Sequence, residues 1–447
     1  MSWKEFYHNR WTRFCFWALL YTLWVVWLGS FWWLLGLIVI FDIYITKKVK
    51  WAFWKKEYKE GEKHNVWLDW LDAIIFAVVV VTFINIFFFQ AFKIPSSSME
   101  STLYTGDHLF VSKLSYGPRV PETPLTIPFT HNVFMGKESY STLIHNDYRR
   151  LKGFGHVKRG DAVVFGFPNG DTVLTKAPVE DYHALVRMNG RELVEDRLGP
   201  IIVRPTDKKD HYVKRCVALP GDTLSVKDGF VYINSEKQTV YPGIQLTYTV
   251  RTSGQRINSR VLEKLGLNTG ELYFDSTLPG YPEMPLTAGM LEEVKTMKGI
   301  VSVEPRLETY PSNDSYGIFP FADNFKWTRD YFGPLWIPEK GVTVDLTVDN
   351  LPLYERIITA YEKNELSVST DGVIRINGEV AHSYTFAQDY YFMMGDNRHN
   401  SLDSRYWGFV PEDHIVGRPV VVWLSTDSGK RFPNNIRWGR FFHLCRN

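Results

Sequence analysis

The stretch Gly395-Asp-Asn-Arg-His-Asn-Ser-Leu-Asp-Ser-Arg-Tyr-Trp-Gly-Phe-Val-Pro411 is the most informative part of this 447-residue chain. It is rich in polar and charged side chains. It lies between Tyr390–Met394 and Arg418–Leu424, whose β-branched and aromatic content predicts strands. Taken alone, its Gly-Asp-Asn start is ordinary turn chemistry, and Asp403 and Arg405 would form a plain surface ion pair. The stretch therefore predicts a function only together with other parts of the chain.

The chain beyond residue 93 repeats this alternation of short strands and turns. Runs of β-branched and aromatic residues bounded by glycine, proline and aspartate predict further strands at residues 108–113, 161–167, 212–219 and 223–227. Helical patterns are few, and the clearest are Leu351–Glu365, which Asn350 would cap, and Ala288–Lys298. The part of the chain after residue 93 is therefore predicted to be mainly β.

Both helical patterns lie in a proline-rich region between two similar segments. Leu224–Glu236 resembles Leu366–Glu379, and each looks like a hairpin around Asp-Gly. Two similar hairpins at the borders of an insertion explain this likeness, and a duplicated subdomain is the alternative. We predict a β-domain formed by residues 93–240 and 370–447, interrupted by an inserted α+β lobe of unknown role at residues 241–369.

Long uncharged runs before residue 93 predict membrane-spanning helices. Residues 14–46 lack lysine and arginine and contain one acid, Asp42. As one helix these residues would be about 50 Å long, against about 30 Å of hydrocarbon. We therefore favour two short spans that turn near Gly29-Ser30. One tilted span and an uncleaved signal sequence are the alternatives. Residues 71–92 form a second, cleaner apolar run.

Charge bias sets the predicted orientation. Lysines are dense between Lys47 and Lys63, and basic residues beside membrane spans stay in the cytoplasm. We therefore predict an N-terminal membrane segment at 1–46, a basic cytoplasmic loop at 47–70 and a transmembrane helix at 71–92, with the rest of the chain outside.

Composition excludes several other classes of function. The formal net charge of +2 gives no nucleic-acid footprint. The cysteines Cys15, Cys216 and Cys445 are odd in number and widely spaced, which predicts neither a disulfide framework nor a zinc site. Because no His-Glu-x-x-His occurs, we expect no metal centre, and we expect no cofactor.

Three further polar segments accompany residues 395–411. They are Pro95-Ser-Ser-Ser-Met-Glu-Ser-Thr-Leu103, Arg159-Gly-Asp-Ala-Val-Val-Phe165 and Tyr212-Val-Lys-Arg-Cys-Val-Ala-Leu-Pro-Gly-Asp222. Together, and in this order, the four segments resemble the bacterial type I signal peptidases, the Ser/Lys leader peptidases. The resemblance covers the membrane exit and the β-domain but not visibly the lobe. The chain departs from the family pattern at Ser101, where the family usually has proline.

The resemblance implies a role for each matching position. Ser98 matches the family's nucleophile and Lys214 its general base. Ser96 matches a serine whose hydroxyl joins the backbone N–H of Ser98 in the oxyanion hole, and Ser401 matches a serine that orients the lysine. Structural support is implied for two pairs, the ion pair of Arg215 with Asp396 and the neighbouring Asp403 and Arg405.

Elementary chemistry agrees with these roles. A serine hydroxyl becomes a nucleophile when a neighbour removes its proton. A lysine can do so only when neutral, and burial lowers its pKa from about 10.4. Lys214 lies in a strand-like run rich in valine and alanine, which can bury it. Strand alternation turns Arg215 to the other face, where Asp396 can balance its charge.

The sequence thus predicts a signal-peptidase-like β catalytic domain, with an inserted α+β lobe, behind N-terminal transmembrane helices. The expected substrates are preproteins that carry signal peptides, and the lipid bilayer and the protein translocation machinery are the expected partners. The expected location is the bacterial cytoplasmic (inner) membrane, multi-pass, with the catalytic domain on the periplasmic side. A catalytically inactive, membrane-tethered envelope scaffold is the alternative. A penicillin-binding acyltransferase needs Ser-x-x-Lys, which is absent, and a transporter subunit would need polar groups along its spans.

Overall fold

The structure is a computed structural model that describes residues 9–51, 66–178, 180–270, 272–309, 317–427 and 429–445. Most of the predicted basic loop, residues 52–65, lies outside the described residues. The α-helices are α1 Arg10–Leu28, α2 Gly36–Phe41, α3 Val66–Phe87, α4 Tyr182–Asn189, α5 Arg191–Leu198, α6 Ser259–Lys264, α7 Ala288–Thr296, α8 Leu351–Arg356 and α9 Ser404–Trp407.

The first apolar run forms a helical hairpin. Helix α1 ends at Leu28 because Gly29 adopts the left-handed conformation, with φ of +67°. After a 3₁₀ turn at Phe31–Leu35, α2 and a π-helical turn at Asp42–Thr46 run back along α1. Phe41 contacts Phe14 edge to face at 5.4 Å between ring centroids, so the return reaches the first turns of α1. The predicted turn near Gly29-Ser30 is therefore present.

Helices α1 and α3 are long and apolar enough to cross a membrane. The second predicted span differs from the structure at both ends, because α3 begins at Val66, inside the predicted loop, and stops at Phe87 rather than near Phe92. Phe89–Lys93 instead pair with a neighbouring strand. The aromatic residues there have high strand propensity, and backbone pairing outweighs the apolar pattern.

The strands account for most of the remaining regular structure, which confirms the predicted mainly β class. They are β1 Phe89–Lys93, β2 Asp107–Ser112, β3 Val133–Phe134, β4 Lys137–Glu138, β5 Ala162–Gly166, β6 Thr172–Leu174, β7 Ile201–Val203, β8 His211–Ala218, β9 Thr223–Lys227, β10 Phe230–Ile233, β11 Glu236–Lys237, β12 Gln245–Thr252, β13 Gly280–Thr287, β14 Ile300–Pro305, β15 Phe332–Trp336, β16 Thr343–Asp345, β17 Leu366–Val368, β18 Ile374–Ile376, β19 Glu379–Val380, β20 Ser383–Thr385, β21 Tyr390–Met394, β22 Val410–Pro411, β23 Ile415–Ser425 and β24 His443–Leu444. All six strand runs predicted from the sequence are among them.

One large antiparallel sheet organises the fold. Its strand order is β1-β2-β23-β5-β8-β21-β22, and β24 pairs with β23. Strand β8 lies in the interior of this sheet, between β5 and β21, and its register aligns Lys214 with Val163. Strand β1 lies at the edge and is joined to α3 by one residue, so the sheet begins where the second apolar helix ends.

The region from residue 241 to 369 contributes to two different cores. Strands β12, β13 and β14 form a separate antiparallel sheet, which packs with α6 and α7 around Val250, Leu262 and Val294. Strand β15 instead pairs with β9, and α8 packs in the core that β9, β10 and β21 share.

Both helical predictions in this region are confirmed, with shorter bounds. Helix α7 ends at Thr296, and α8 ends at Arg356, where a π-helical turn at Ile357–Tyr361 continues it. Asn350 occupies the N-cap position, but its side-chain oxygen accepts from the backbone N–H of Thr347 and does not cap the helix.

The two similar segments fold alike. Strands β9 and β10 pair around Asp228-Gly229, and β17 and β18 pair around the loop that contains Asp371-Gly372. Each hairpin continues into a third short antiparallel strand, β11 or β19. Both segments therefore form similar hairpins, as the likeness of their sequences predicts.

Candidate active site

Ser98 lies on a short turn that apolar neighbours hold in place. A 3₁₀ turn covers Ser97–Met99, just after β1. Met99 and Leu103 are 0% and 1% exposed and belong to the core cluster beneath the large sheet. From the other side, the backbone N–H of Asn397 donates to the carbonyl oxygen of Ser98 at 3.1 Å. The serine is thus fixed between the segment that follows β1 and the segment that follows β21.

Lys214 reaches Ser98 from the interior strand β8. Its side chain is buried, and Nζ lies 2.5 Å from Oγ of Ser98. An ammonium at this distance donates to the hydroxyl, whereas a neutral amine accepts the hydroxyl proton. The two residues are 116 positions apart in the chain, and the folded sheet brings them into direct contact.

Burial sets the protonation of Lys214. Removal from water disfavours the ammonium and lowers the pKa of Lys214 to about 8, while the more distant carboxylates of Asp403 and Asp396 act in the opposite direction. None of the ion pairs of the described residues includes Lys214. The neutral amine is therefore accessible near physiological pH, which a salt bridge would prevent.

Two other serines flank the dyad. Oγ of Ser96 lies 3.3 Å from Oγ of Ser98, so both hydroxyls face the same small volume. Ser401 packs against Gly395, and a Cβ added to Gly395 would overlap both Oγ of Ser401 and the carbonyl oxygen of Ser98. The hydrogen bond that the structure gives Ser401 is a long one, 3.5 Å to the carbonyl oxygen of Leu402.

Two buried ion pairs support the site. Arg215 donates from Nε and Nη2 to the carboxylate of Asp396, at 2.7 and 2.5 Å. Arg405 donates to Asp403 at 2.9 and 2.8 Å, and Asp403 also accepts from the backbone N–H of Gly395. Bidentate pairs of this kind fix geometry as well as charge. The first pair connects β8 with the segment after β21, and the second braces that segment internally.

The departure at Ser101 has a structural consequence. Ser101 adopts φ of +69°, a value that the ring of proline cannot take. Its hydroxyl accepts from Nε2 of Gln245 at 2.9 Å. The turn after the nucleophile therefore differs locally from one that contains proline, and it contacts the start of β12.

Sequence reasoning missed several residues that hold the site together. Thr102 donates to Asp396 at 2.6 Å, and Asn400 donates from Nδ2 to Oγ of Ser97 at 3.0 Å. The guanidinium of Arg215 lies over the ring of Tyr241 at 4.4 Å. Thr102 and Asn400 lie inside the quoted polar segments, which was a usable signal, whereas Tyr241 lies outside every one of them.

One further residue of the segment after β21 makes contacts with a neighbouring sheet. His399, to which the sequence assigned no role, accepts at Nδ1 from the N–H of Thr247 at 3.0 Å, and its Nε2 lies 2.7 Å from Asp330. It therefore ties the segment after β21 to the neighbouring sheet.

Among the described residues, no cluster of histidine, cysteine, aspartate and glutamate has the arrangement of a metal site.

Comparison with known proteins identifies the family. The model of the family described as signal peptidase, peptidase S26, matches residues 67–270 and 340–424, more than half of the chain. The chain belongs to the signal peptidase family, peptidase S26. The residues between the two matched ranges contain β13, α7, β14 and β15.

Curated relatives align with most of the chain. Signal peptidase I of Buchnera aphidicola subsp. Acyrthosiphon pisum is 23% identical over 396 residues, which cover 87% of this chain and 85% of the relative. Signal peptidase I of Helicobacter pylori is 26% identical over 386 residues, which cover 84% and 90%. Signal peptidase I of Haemophilus influenzae is 25% identical over 376 residues, which cover 84% and 74%.

These findings confirm the resemblance seen in the sequence. As a member of this family, the chain is a serine endopeptidase, a hydrolase, and membership supports the cleavage of signal peptides as its reaction. The comparisons give no support to the alternative of an inactive scaffold.

Proposed function

We propose that the chain cleaves signal peptides from exported preproteins with a dyad of Ser98 and Lys214. The contact of 2.5 Å between Nζ and Oγ, with both residues buried, is the observation that carries the proposal. The lowered pKa of Lys214 supports it, because the general base must be neutral.

The proposed reaction is acyl transfer through an acyl-enzyme. Neutral Lys214 takes the proton of Ser98, and Oγ attacks the carbonyl carbon of the scissile bond. The backbone N–H of Ser98 and the hydroxyl of Ser96 stabilise the oxyanion, and loss of one such donor costs about 3 kcal/mol. The ammonium of Lys214 then protonates the leaving amine. Water, deprotonated by the same lysine, attacks the acyl carbon and releases Ser98 and the signal peptide.

The other predicted residues would act by positioning. Ser401 would orient the amine of Lys214 through a neutral hydroxyl, which leaves the lysine uncharged. The pair Arg215–Asp396 would hold β8 against the segment after β21, and the pair Asp403–Arg405 would brace that segment, so that Lys214 and Ser98 stay in contact. Neither pair needs to touch the substrate.

We also propose that the enzyme is a multi-pass protein of the bacterial cytoplasmic membrane. The hairpin of α1 and α2 and the helix α3 would span the bilayer, Lys47–Lys63 would remain in the cytoplasm, and residues 93–447 would lie on the periplasmic side. The active site then lies just beyond α3, next to the bilayer surface where a cleavage site emerges. The catalytic β-domain would comprise residues 93–240 and 370–447, with residues 241–369 as an inserted lobe.

The expected partners follow from this arrangement. Preproteins that carry signal peptides with small residues at positions −1 and −3 are the proposed substrates. The lipid bilayer holds the enzyme, and the protein translocation machinery is the proposed neighbour that delivers the substrate.

Cleavage of a purified preprotein tests the dyad. We expect detergent-solubilised wild type and the control Lys227→Ala, an exposed position on β9, to process the preprotein at the same rate. Lys214→Ala and Ser98→Ala should leave it uncut, because the base or the nucleophile is missing. Equal rates for Lys214→Ala and wild type would refute the dyad. Growth of cells on Ser98→Ala alone, with normal processing, would favour the scaffold alternative.

A further inference from the structure

A cavity of about 460 Å³ lies beside the dyad and has no role in the acyl transfer described above. Its volume is within the usual range of ligand pockets. One wall consists of Ser97, Asn397 and Asn400, which surround the turn of the nucleophile. The opposite wall comes from the sheet of β12, β13 and β14 and from the segment before β13, and it includes Leu272, Glu283 and Arg306.

Two amide side chains of the cavity lining are buried, and each has an oxygen without a hydrogen-bond partner among the described residues. Gln245 and Asn397 are 2% and 3% exposed, and within the described part of the chain Oε1 of Gln245 and Oδ1 of Asn397 have no hydrogen-bond partner. The orientation of Asn397 is fixed, because its Nδ2 donates to the carbonyl oxygen of Ser97, which can only accept. Buried acceptors without a partner are costly in a native protein, so this wall of the cavity holds unsatisfied polar groups just beneath its surface.

Part of the wall formed by the β12–β14 sheet lies outside the residues that the family model matches. Leu272, Glu283 and Arg306 fall in the part of the chain that the family model does not match. Gln245 also contacts Ser101, the position where the chain departs from the family pattern. Glu283 and Arg306 form an ion pair with each other, and about half of each side chain is exposed. The lining therefore includes charges of both signs, to which Glu100 and Arg329 also contribute.

The position of the cavity relative to Ser98 indicates which part of a substrate it meets. A signal peptide comes from the membrane, and α3 and β1 lead from the membrane side to Ser96. None of the described residues of the apolar helices or of β1 lines the cavity. Beyond the nucleophile, the substrate chain therefore continues past Asn397 towards the β12–β14 sheet.

We propose that this cavity binds the first residues of the mature protein, on the carboxyl side of the scissile bond. The inference rests on the proposed function and adds a specificity site to it. About three extended residues, at about 3.3 Å each, reach from the scissile bond across the cavity. Their side chains alternate between the two walls, so the one at +2 or +3 that points to the β12–β14 sheet faces Glu283 and Arg306.

Charge-reversal variants of the wall test the proposal with matched preproteins. One set carries lysine, glutamate or glutamine at +2 and +3, and a control set carries the same residues at −5 with neutral mature residues. Arg306→Glu should raise the ratio of kcat/KM for lysine over glutamate at +2 and +3 by about two- to fivefold, the range for one surface ion pair. Glu283→Lys should lower this ratio by a similar factor, and the double variant should restore it.

The outcomes separate this inference from the proposed function. Equal cleavage of the glutamine substrate by wild type and both variants shows that the catalytic site is intact. Unchanged ratios at +2 and +3 with that substrate still cleaved would overturn the cavity proposal alone, and so would equal shifts in the −5 set. Failure of wild type to cleave the glutamine substrate would overturn both.

Discussion

The burial of Lys214 has opposite effects on catalysis and on stability. It lowers the pKa of the amine to about 8, so that a larger fraction of it is neutral near physiological pH, as the proposed chemistry needs, and it destabilises the ammonium in the folded state. The two effects have the same origin, the pKa of about 8 that burial gives the amine. Both can be measured on one residue.

The first prediction concerns the pH dependence of cleavage. Because only neutral Lys214 accepts the proton of Ser98, kcat/KM should rise with an apparent pKa of about 8. Below that value it should fall about tenfold for each pH unit. Initial rates on a preprotein between pH 5.5 and 9.5 provide the measurement. Lys214→Arg should be inactive throughout, since a guanidinium stays charged. A flat profile between pH 6 and 9 would contradict the neutral-base argument.

The second prediction concerns stability. The pKa of Lys214 is about 8 in the folded state and has its ordinary value of 10.5 when unfolded, so between these values the unfolded chain binds more protons. Wild-type stability therefore rises with pH in this window, and below pH 8 the full penalty, on the order of 3 kcal/mol, applies. Lys214→Met should raise the free energy of unfolding at pH 7, and this advantage should shrink towards pH 10.5.

Denaturant unfolding in detergent, followed by tryptophan fluorescence, measures this difference. Lys227→Met, at an exposed position of β9, is the matched control and should leave stability unchanged. A Lys214→Met protein that is less stable than wild type at pH 7, or whose advantage does not vary with pH, would show that the ammonium is not disfavoured.

At the scale of elements, the site depends on the close approach of two segments. Residues 97–101 and 395–401 are joined by the bonds from Asn397 to Ser98 and from Asn400 to Ser97. Gly395 lies between Ser401 and the carbonyl oxygen of Ser98, with no room for a side chain. The third prediction follows from this contact.

Gly395→Ala should lower kcat/KM by about a hundredfold, because a shift of the order of 1 Å at the reacting groups has that effect. Gly439→Ala is the control, since an added Cβ there meets nothing within 4 Å. Kinetics on a preprotein, with circular dichroism to check that both variants fold, provide the measurement. Full activity of Gly395→Ala would mean that the approach of the two segments does not position Ser98.

Local patterns in the sequence predicted the elements but not the contacts between them. The runs that became β8 and β21 carry their own signal in valine, tyrosine and phenylalanine. The helix α3 carries its apolar pattern past its real end, because pairing of β1 with β2 decides where the helix stops. Tertiary contacts of this kind have no local signature.

In the candidate site, too, the sequence predicted individual residues but not the contacts between them. Ser98 and Lys214 could be named because their segments resemble a family, and the structure adds the distance between them. The role of Gly395 and the cavity at Gln245 could not be read from the sequence, because they arise where three distant segments meet. Position Ser101 gave a partial signal, since a residue in place of proline indicated that the turn differs.

At the scale of the whole molecule, the apolar helices are tied to the β-domain at one end. Leu28 at the end of α1 and Phe87 at the end of α3 share a cluster with Leu151, and Nε1 of Trp27 donates to the carbonyl oxygen of Lys152. The return segment places Asp42–Thr46 at the other end of α1. Both helix ends near the β-domain should therefore lie on one side of a bilayer, and Lys47–Lys50 on the other.

The fourth prediction tests this topology with single cysteines and a membrane-impermeant maleimide. Cys15 and Cys445 are replaced by serine, while Cys216 can stay because it is fully buried. Ser30→Cys and Val301→Cys should react in intact spheroplasts, since the proposed topology places the hairpin turn and the β-domain outside. Lys50→Cys should react only after permeabilisation. Protection of Ser30→Cys in both conditions would indicate a single tilted span, and labelling of Lys50→Cys in intact spheroplasts would reverse the orientation.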